Sequence, residues 1–296
     1  MKRLVGFLSI FGVVVFWGIS FISIKVVLEV VDPIVLGFLR YVLAVLFVLG
    51  FVLFKRISLR VPKRDLFIFF IAGVFGIFLY SALENVAMQY VSAETAAIMT
   101  SLVPLTIMIA NRLVYKERFN IRYVVYAVCS IVGIILILLP SGTQDVLYPQ
   151  QGLGVFLLFL SIVSWTGYAV VTKKVVEKYH TIKVTALQSM MALLAFFPAL
   201  FFRPLPDVSM FQWHHLFHLL FLGIVCSGLT YLLFIHAIHR LGLSIPNIFL
   251  NFIPLVTTLV NGVILGVPIG LLSIIGGLIV ILSMTLLTVD RMREAI

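Results

Sequence analysis

The sequence predicts an all-α integral membrane protein of about ten transmembrane helices, arranged as two inverted five-helix repeats. Of its 296 residues, 62% are hydrophobic and only 11% are charged, whereas about 25% are charged in a typical soluble domain. Stretches such as Leu4 to Ile24 are apolar all round, which is typical of helices surrounded by lipid. These runs are roughly twenty residues long and lack the short alternation of barrel strands, so helices are predicted to span the bilayer.

Five apolar spans occupy the first half of the chain, separated by charged or Pro- and Gly-rich breaks. They are Leu4 to Leu28, Ile34 to Phe54, Leu66 to Met88, Ala93 to Val114 and Ile121 to Leu139. The first span could imitate a secretory signal, but it is too long, and no small-residue cleavage site precedes the second span. It is therefore predicted to be the first membrane helix.

Five more spans follow the polar segment from Pro140 to Gln151. They are Gly152 to Thr172, Ile182 to Phe202, Leu216 to Ile238, Ser244 to Leu265 and Gly270 to Thr288. Along a ten-helix path most basic residues fall on one side of the membrane, and only Lys25 and Arg203 fall on the other. Because loops rich in Lys and Arg stay in the cytoplasm, both termini are predicted to be cytoplasmic and the protein to lie in the cytoplasmic membrane. This topology accounts for the net charge of +10, so nucleic acid is not a predicted partner.

The two halves of the chain repeat in sequence. Trp17 and Trp165 are each followed by a lysine eight residues later. A shift of 150 residues superimposes three residues of the fourth span on three of the ninth: Ser101 on Asn251, Pro104 on Pro254 and Asn111 on Asn261. Because each half has five spans, an odd number, the second half enters the membrane from the opposite side. Secondary transporters often use such inverted repeats, with a substrate site near the midplane that opens alternately to each side.

Several motifs resemble the ten-helix EamA-like branch of the drug/metabolite transporter superfamily. They are Trp17 to Phe21, Ala87 to Ala97, Leu102 to Leu105 and Lys116-Glu117-Arg118. The family usually has an acidic residue after the ninth span too, where this chain has Gly266-Val267-Pro268. The resemblance implies the export of amino acids or other small metabolites. The predicted organisation is a first EamA-like repeat at 1–140, a connecting loop at 141–151, a second repeat at 152–290 and a cytoplasmic tail at 291–296.

Arg40 and Glu84 are the first candidates for function, because a charge within the hydrocarbon is costly. Both are predicted to lie in the outer half of the membrane, at depths that would let them pair. Glu84 could exchange a proton as the coupling ion, or Arg40 could receive a substrate carboxylate. Alternatively, the two residues form a fixed ion pair that holds two helices together.

Trp17 and Trp165 occupy equivalent places near the centres of their spans, away from the interfaces where membrane tryptophans usually collect. They are predicted to wall a central cavity, although ordinary packing of large aromatic residues is the alternative. The other predicted members of this wall are Ser20, Tyr80, Tyr168 and Gln188. Gln188 occupies the position in the second repeat that Arg40 has in the first.

Polar residues form a stripe on one face of the ninth span and, less fully, of the fourth. The stripe lines either a pathway or a helix interface joined by hydrogen bonds. Ser101, Asn247 and Asn251 are therefore candidate cavity residues. Pro104 and Pro254 could loosen their helices, so they are candidate hinges, although static kinks are the alternative.

No Gly-rich phosphate loop, zinc-ligand spacing or nucleophile elbow occurs in the sequence, so no enzyme activity, cofactor or metal is predicted. A channel filter is not evident either. Because Arg40 alone could bind a phosphate inside the membrane, a neutral or zwitterionic substrate is favoured over a phosphorylated one. The predicted function is secondary transport, in the export direction, of an amino-acid-like small molecule. An enzyme or flippase for a lipid-linked substrate, or a drug exporter, is the alternative, and the oligomeric state is left open.

Overall fold

The computed structural model describes residues 2–115, 121–138, 148–204, 206–242, 244–264 and 270–294. Five helices form the first half of the chain. They are α1 (Lys2–Val27), α2 (Pro33–Phe54), α3 (Lys63–Ala87), α4 (two segments, Ala93–Thr100 and Val103–Tyr115) and α5 (Ile121–Leu138). The motifs Lys116-Glu117-Arg118 and Gly266-Val267-Pro268, and most of the predicted connecting loop, lie outside the described residues, and the domain boundaries stay a prediction.

Five further helices form the second half. They are α6 (Gln151–Val176), α7 (Thr181–Leu200), α8 (Trp213–Leu241), α9 (segments Ser244–Phe249, Leu250–Phe252, Ile253–Leu259 and Val260–Ile264) and α10 (Leu271–Glu294). Within the described ranges, six of these helices are long and apolar enough to cross a membrane, namely α1, α2, α3, α6, α7 and α8. The other four contain shorter apolar helices of 10–17 residues. The predicted all-α membrane fold is confirmed.

The starts of α2 and α4 follow local capping signals. Asp32 precedes Pro33, the first residue of α2, and its carboxylate accepts the backbone N–H of Ile34 at 2.8 Å. Ser92 likewise accepts the N–H of Thr95 at 3.1 Å. These caps satisfy N–H groups that the first turn of a helix leaves free. They hold the short turns from α1 to α2 and from α3 to α4.

Pairs of packed helices have counterparts in which both helices are replaced by their equivalents in the other repeat. α1 packs on α8 as α3 packs on α6, and α1 packs on α9 as α4 packs on α6. The contact of α2 with α8 likewise matches that of α3 with α7. α2 packs on its own equivalent, α7, and α5 packs on α10. This pattern is that of two inverted repeats related by a pseudo-two-fold axis.

α3 and α8 each contain a π-helical segment, Val74–Leu79 and Phe221–Leu229, at matching places in the two repeats. Such segments are rare in proteins, and those that occur are often found at functional sites. In α3 the segment brings Gly76 so close to α6 that an added Cβ would lie 2.1 Å from Cδ2 of Tyr168. The absence of a side chain at Gly76 therefore permits the close contact between α3 and α6.

α4 and α9 are interrupted at equivalent positions. α4 breaks at Ser101, whose N–H donates to the carbonyl of Ile98, three residues back, at 3.0 Å. α9 has a 3₁₀ turn at Leu250–Phe252. Each break precedes one of the candidate hinges, Pro104 or Pro254, whose missing N–H favours such an interruption. The interruptions are static features of this structure, and motion at them stays a prediction.

Candidate functional site

A cavity of about 630 Å³, counting its open mouth, lies among α1, α2, α3, α4, α6, α8 and α9. On α6 its lining runs from Leu158 to Trp165, and on α4 from Ala96 to Val103. These parts lie toward the ends at which α4 and α6 enter the membrane. The chain crosses the membrane once in each span, so every even-numbered span starts on the side opposite the N-terminus. With ten spans, the C-terminus lies on the same side as the N-terminus. We call the side opposite both termini the far side, and the side of the termini the near side.

Six of the predicted cavity residues line this cavity, and five do not. The six are Trp17, Ser20, Arg40, Tyr80, Glu84 and Trp165. The five others are buried side chains outside the cavity lining: Ser101, Tyr168, Gln188, Asn247 and Asn251. Their part in transport stays a prediction in every case.

Arg40 is held at the cavity wall by neutral partners. It is 5% exposed, its Nε donates to Ser227 Oγ at 3.2 Å, and its Nη1 donates to Asn85 Oδ1 at 3.3 Å. Asn85 is itself fixed, because its Nδ2 donates to the carbonyl of Pro33 at 3.0 Å. A guanidinium has five N–H donors, so these two bonds leave it able to bind an anionic group.

Glu84 lies on the same cavity and is 4% exposed. Its carboxylate accepts a hydrogen bond from the hydroxyl of Tyr80, one turn earlier on α3. Among the described residues no ion pair within 4.0 Å joins Glu84 to Arg40. The predicted alternative of a fixed Arg40–Glu84 ion pair is therefore not what the structure contains. The cavity instead has one positive and one negative group with separate partners.

The floor of the cavity is aromatic. The rings of Trp17 and Trp165 meet edge to face, with centroids 5.5 Å apart. Phe234 of α8 packs against both, at 5.4 Å from Trp17 and 5.5 Å from Trp165, and Tyr231 lies 5.6 Å from Trp17. Such contacts between large rings stabilise beyond the area they bury. They separate the cavity from the near half of the protein.

The two indoles differ in hydrogen bonding. Trp17 Nε1 donates to the carbonyl of Cys226 at 3.2 Å. The buried Nε1 of Trp165 has no acceptor among the described residues. A buried donor without a partner costs free energy. Within the described part of the chain, Trp165 is therefore a residue of the cavity wall with an unpaired donor.

Below the floor, Tyr168 and Gln188 belong to a closed polar contact in the near half. Gln188 Nε2 donates to Thr172 Oγ1 at 2.9 Å, and the hydroxyl of Tyr168 donates to Gln188 Oε1 at 3.3 Å. All three side chains are almost fully buried. They tie α6 to α7 on the side where the cavity does not open.

The polar stripe of α9 lies behind the cavity. Asn251 is fully buried, and neither polar atom of its side chain has a partner among the described residues. Ser101, its equivalent on α4, is also fully buried, and its hydroxyl has no partner in the same part of the chain. Asn247 is 5% exposed and Pro254 is buried, whereas the side chain of Pro104 lies outside the described set.

Sequence reasoning missed most of the apolar wall of the cavity. The missed lining residues are Phe21, Ala96, Met99, Thr100, Val103, Leu158, Ser161, Ile162, Tyr231, Leu250 and Ile253. Apolar residues give no signal in a chain where most positions are apolar. Tyr231 could have been found from the repeat. It lies on α8, the equivalent of α3, and α3 carries the candidate residue Glu84.

Comparison with known proteins identifies the family. Residues 4–139 and 152–289 each match the EamA-like transporter family. An uncharacterized transporter of Archaeoglobus fulgidus is 27% identical over 282 residues, covering 94% of this chain and 96% of its own. The uncharacterized transporter YyaM of Bacillus subtilis is 23% identical over 288 residues, covering 96% and 93%.

Two further similarities are more limited. An S-adenosylmethionine/S-adenosylhomocysteine transporter of Chlamydia trachomatis is 26% identical over 185 residues, covering 60% of this chain and 55% of its own. One solved crystal structure superimposes with a TM-score of 0.69 at 18% identity, covering 99% of this chain and 98% of its own. That likeness supports the fold alone. Because the family matches both halves, the chain belongs to the EamA-like transporter family and is a multi-pass membrane transporter, not an enzyme.

Proposed function

We propose that this protein is a secondary transporter that carries a small zwitterionic metabolite, similar to an amino acid, by alternating access. The observation that supports this most is the pair of opposite charges, Arg40 and Glu84, on one cavity without an ion pair between them. A guanidinium matches a carboxylate with two parallel hydrogen bonds. A carboxylate in turn matches an ammonium group. A zwitterion would compensate both buried charges at once.

The remaining lining suits an apolar side chain. Met99, Val103 and Ile162 face the same space as the two charged residues. The lining also includes Trp165, whose N–H has no acceptor among the described residues. An amino acid with a medium-sized apolar side chain is the substrate that these features fit best.

One relative supports the substrate class. The Chlamydia trachomatis protein is named as a transporter of S-adenosylmethionine and S-adenosylhomocysteine. Each of those compounds carries an amino acid group with a carboxylate and an ammonium. Their common feature is therefore the zwitterion that we assign to Arg40 and Glu84.

Two finer statements belong to the proposal. We assign the near side to the cytoplasm because its loops carry most of the Lys and Arg residues, and we propose the cytoplasmic membrane as the location. Export is the direction that the family resemblance implies. The far side, where the cavity opens, would then be the side of release.

Counterflow in proteoliposomes tests the function. A panel of radiolabelled amino acids, amines, carboxylates and neutral metabolites is offered to vesicles loaded with the same unlabelled compound. We expect saturable counterflow of zwitterions and a loss of about tenfold or more in Arg40→Gln, since a charged hydrogen bond is worth about 1.5–3 kcal/mol. Arg203→Gln is the matched control, because Arg203 is 44% exposed and pairs with Asp32 at the far surface.

Three outcomes would contradict the proposal. Folded protein that transports none of the zwitterions would remove the substrate class. A flux that rises linearly with concentration would indicate a channel. Equal counterflow in Arg40→Gln and Arg203→Gln would remove Arg40 from the binding site.

A further inference from the structure

The two repeats have the same backbone plan but different chemistry at their gates. With the shift of 148 residues that superimposes Trp17 on Trp165, Ser20 falls on Tyr168 and Arg40 falls on Gln188. With the shift of 150 that aligns the ends of the two π-helical segments, Leu79 with Leu229, Glu84 falls on Phe234. The far half is therefore polar and charged at positions where the near half is aromatic and neutral.

The near half shows what a closed gate looks like. Phe234 of α8 lies against the rings of Trp17 and Trp165, at centroid distances of 5.4 and 5.5 Å. Tyr168 lies 4.9 Å from Trp165. Ring contacts of this kind need no ion or ligand to be favourable. The near half can therefore close while the cavity is empty.

The far half cannot close in the same way. In an inverted repeat the opposite state exchanges the roles of the two halves. Glu84 would then take the place of Phe234, which packs beside both indole rings. The faces of aromatic rings are negative, and an isolated carboxylate is costly to remove from water. An empty protein with ionised Glu84 is therefore expected to stay open toward the far side.

A positive group at Glu84 would remove this barrier. An ammonium group beside these rings is attracted by the carboxylate and also gains cation–π attraction, and a proton makes the carboxyl neutral. We propose that Glu84 is a cation site that must be occupied, by a proton or by the ammonium group of a substrate, before the far half can close. This inference rests on the proposed function and assigns a coupling role to the same cavity.

Arg40 does not substitute for that cation. Its equivalent, Gln188, bonds to Thr172 and Tyr168 of α6 in the closed near half. The matching closed contact of Arg40 would be made with α1, where Ser20 lies, and not with α3, which carries Glu84. In the present state Arg40 is bonded to Ser227 and Asn85.

Two cysteine reporters test the inference without any knowledge of the substrate. Native Cys129 and Cys226 are first replaced by alanine. Thr100→Cys then reports on the open cavity, which Thr100 lines, and Ala169→Cys reports on the near half, where Ala169 is 5% exposed. Labelling by a membrane-impermeant thiol reagent is measured from each side of the membrane in native-like vesicles.

At alkaline pH without solute, we expect Thr100→Cys to react and Ala169→Cys to be protected. Adding Glu84→Gln, which removes the charge and keeps the shape, should shift the ratio of the two labelling rates by about tenfold or more toward the near side. Glu177→Gln is the matched control, because Glu177 is exposed at the near end of α6. An unchanged ratio in folded Glu84→Gln would overturn the proposal.

Two further arms identify the source of the positive charge. Acidic pH without solute closes the far half if the cation is a proton, and methylammonium at alkaline pH closes it if the cation is an ammonium. If neither shifts the wild-type ratio, the proposal is wrong. The titratable groups that face Glu84 are Arg40 and Tyr41 of α2, Tyr80 of its own helix, and Tyr231 and Cys226 of α8. Cys226 is already replaced by alanine in the reporter proteins.

Tyrosine and arginine do not change charge at acidic pH, and the described cavity lining contains no histidine. His214, His215 and His218 lie at the start of α8, on the far side. An acid-induced shift that persists in Glu84→Gln would assign the effect to these histidines and contradict a proton at Glu84. Counterflow and labelling are independent measurements. Failure of counterflow with successful gating would therefore reject the substrate class and keep the cation site.

Discussion

The substitution Gly76→Ala tests the close contact between α3 and α6. A Cβ at Gly76 would lie 2.1 Å from Cδ2, 2.2 Å from Cγ and 2.5 Å from Cβ of Tyr168. Carbon atoms in contact normally lie about 3.5–4.0 Å apart, so the two helices must separate by more than about 1 Å. The Tyr168 hydroxyl would then also lose its 3.3 Å bond to Gln188.

The expected cost follows from these contacts. Overpacking of a core costs about 1–3 kcal/mol, and the lost hydrogen bond costs about 1 kcal/mol. The better helix propensity of alanine returns about 0.5–1 kcal/mol. Gly76→Ala should therefore lower the free energy of unfolding by about 1–3 kcal/mol and reduce counterflow, because Trp165 sits one turn from Tyr168.

Equilibrium unfolding in mixed micelles measures this change, with Gly50→Ala as the control. Among the described residues, nothing lies within 4 Å of an added Cβ at Gly50, so that variant should unfold like the wild type or be slightly more stable. If Gly76→Ala is as stable as Gly50→Ala and transports normally, the account of the α3–α6 contact is wrong.

Three other substitutions have expected outcomes. Ser101→Ala should leave stability unchanged or raise it by up to about 1 kcal/mol, because it removes a fully buried hydroxyl that has no partner among the described residues; a loss of more than that on unfolding would show that the hydroxyl is bonded. Thr257→Val should cost about 1 kcal/mol in the same assay, because the hydroxyl donates to the carbonyl of Gly18 at 2.7 Å and ties α9 to α1, and an unchanged value would contradict that contact. Asn85→Ala should raise the counterflow KM about tenfold with little change in maximal rate, because Arg40 loses one of its two positioning bonds; a fall in maximal rate alone would assign Asn85 to a different step.

The membrane spans could be predicted because hydropathy and charge determine them. The predicted second span, Ile34 to Phe54, differs from α2 by one residue at its start. The predicted third span, Leu66 to Met88, corresponds to Lys63–Ala87. The inverted repeat was also visible, because Trp17 and Pro104 of the first half recur as Trp165 and Pro254 in the second.

The course of the backbone within each span could not be predicted. Hydropathy does not distinguish α-helical from π-helical hydrogen bonding, so the segments at Val74–Leu79 and Phe221–Leu229 were missed. Gly76 and Gly223 were visible as glycines, but their close neighbours Tyr168 and Leu43 are on distant helices. Only the packed structure shows why a side chain is excluded there.

Only some of the predicted site residues line the cavity, because the cavity opens in one half of the protein and the prediction drew on both. If the protein works by alternating access, as proposed, one sequence encodes both of its states and cannot indicate which half is open in a given structure. Glu84 and Arg40 face the open half, whereas Tyr168 and Gln188, predicted from the same reasoning, belong to the closed one. Symmetry between the repeats predicts the set of residues but not the state.

The central claim is that opposite ends of a zwitterion bind Arg40 and Glu84. The most direct test is competition in the counterflow assay among three analogues of one transported amino acid: the zwitterion, its decarboxylated amine and its deaminated acid. We expect the zwitterion alone to compete well in the wild type. The amine should become a relatively better competitor in Arg40→Gln and the acid in Glu84→Gln, because each variant removes the preference for one charge. Equal competition by all three analogues, or the same ranking in both variants, would contradict the assignment of the two charges to the substrate.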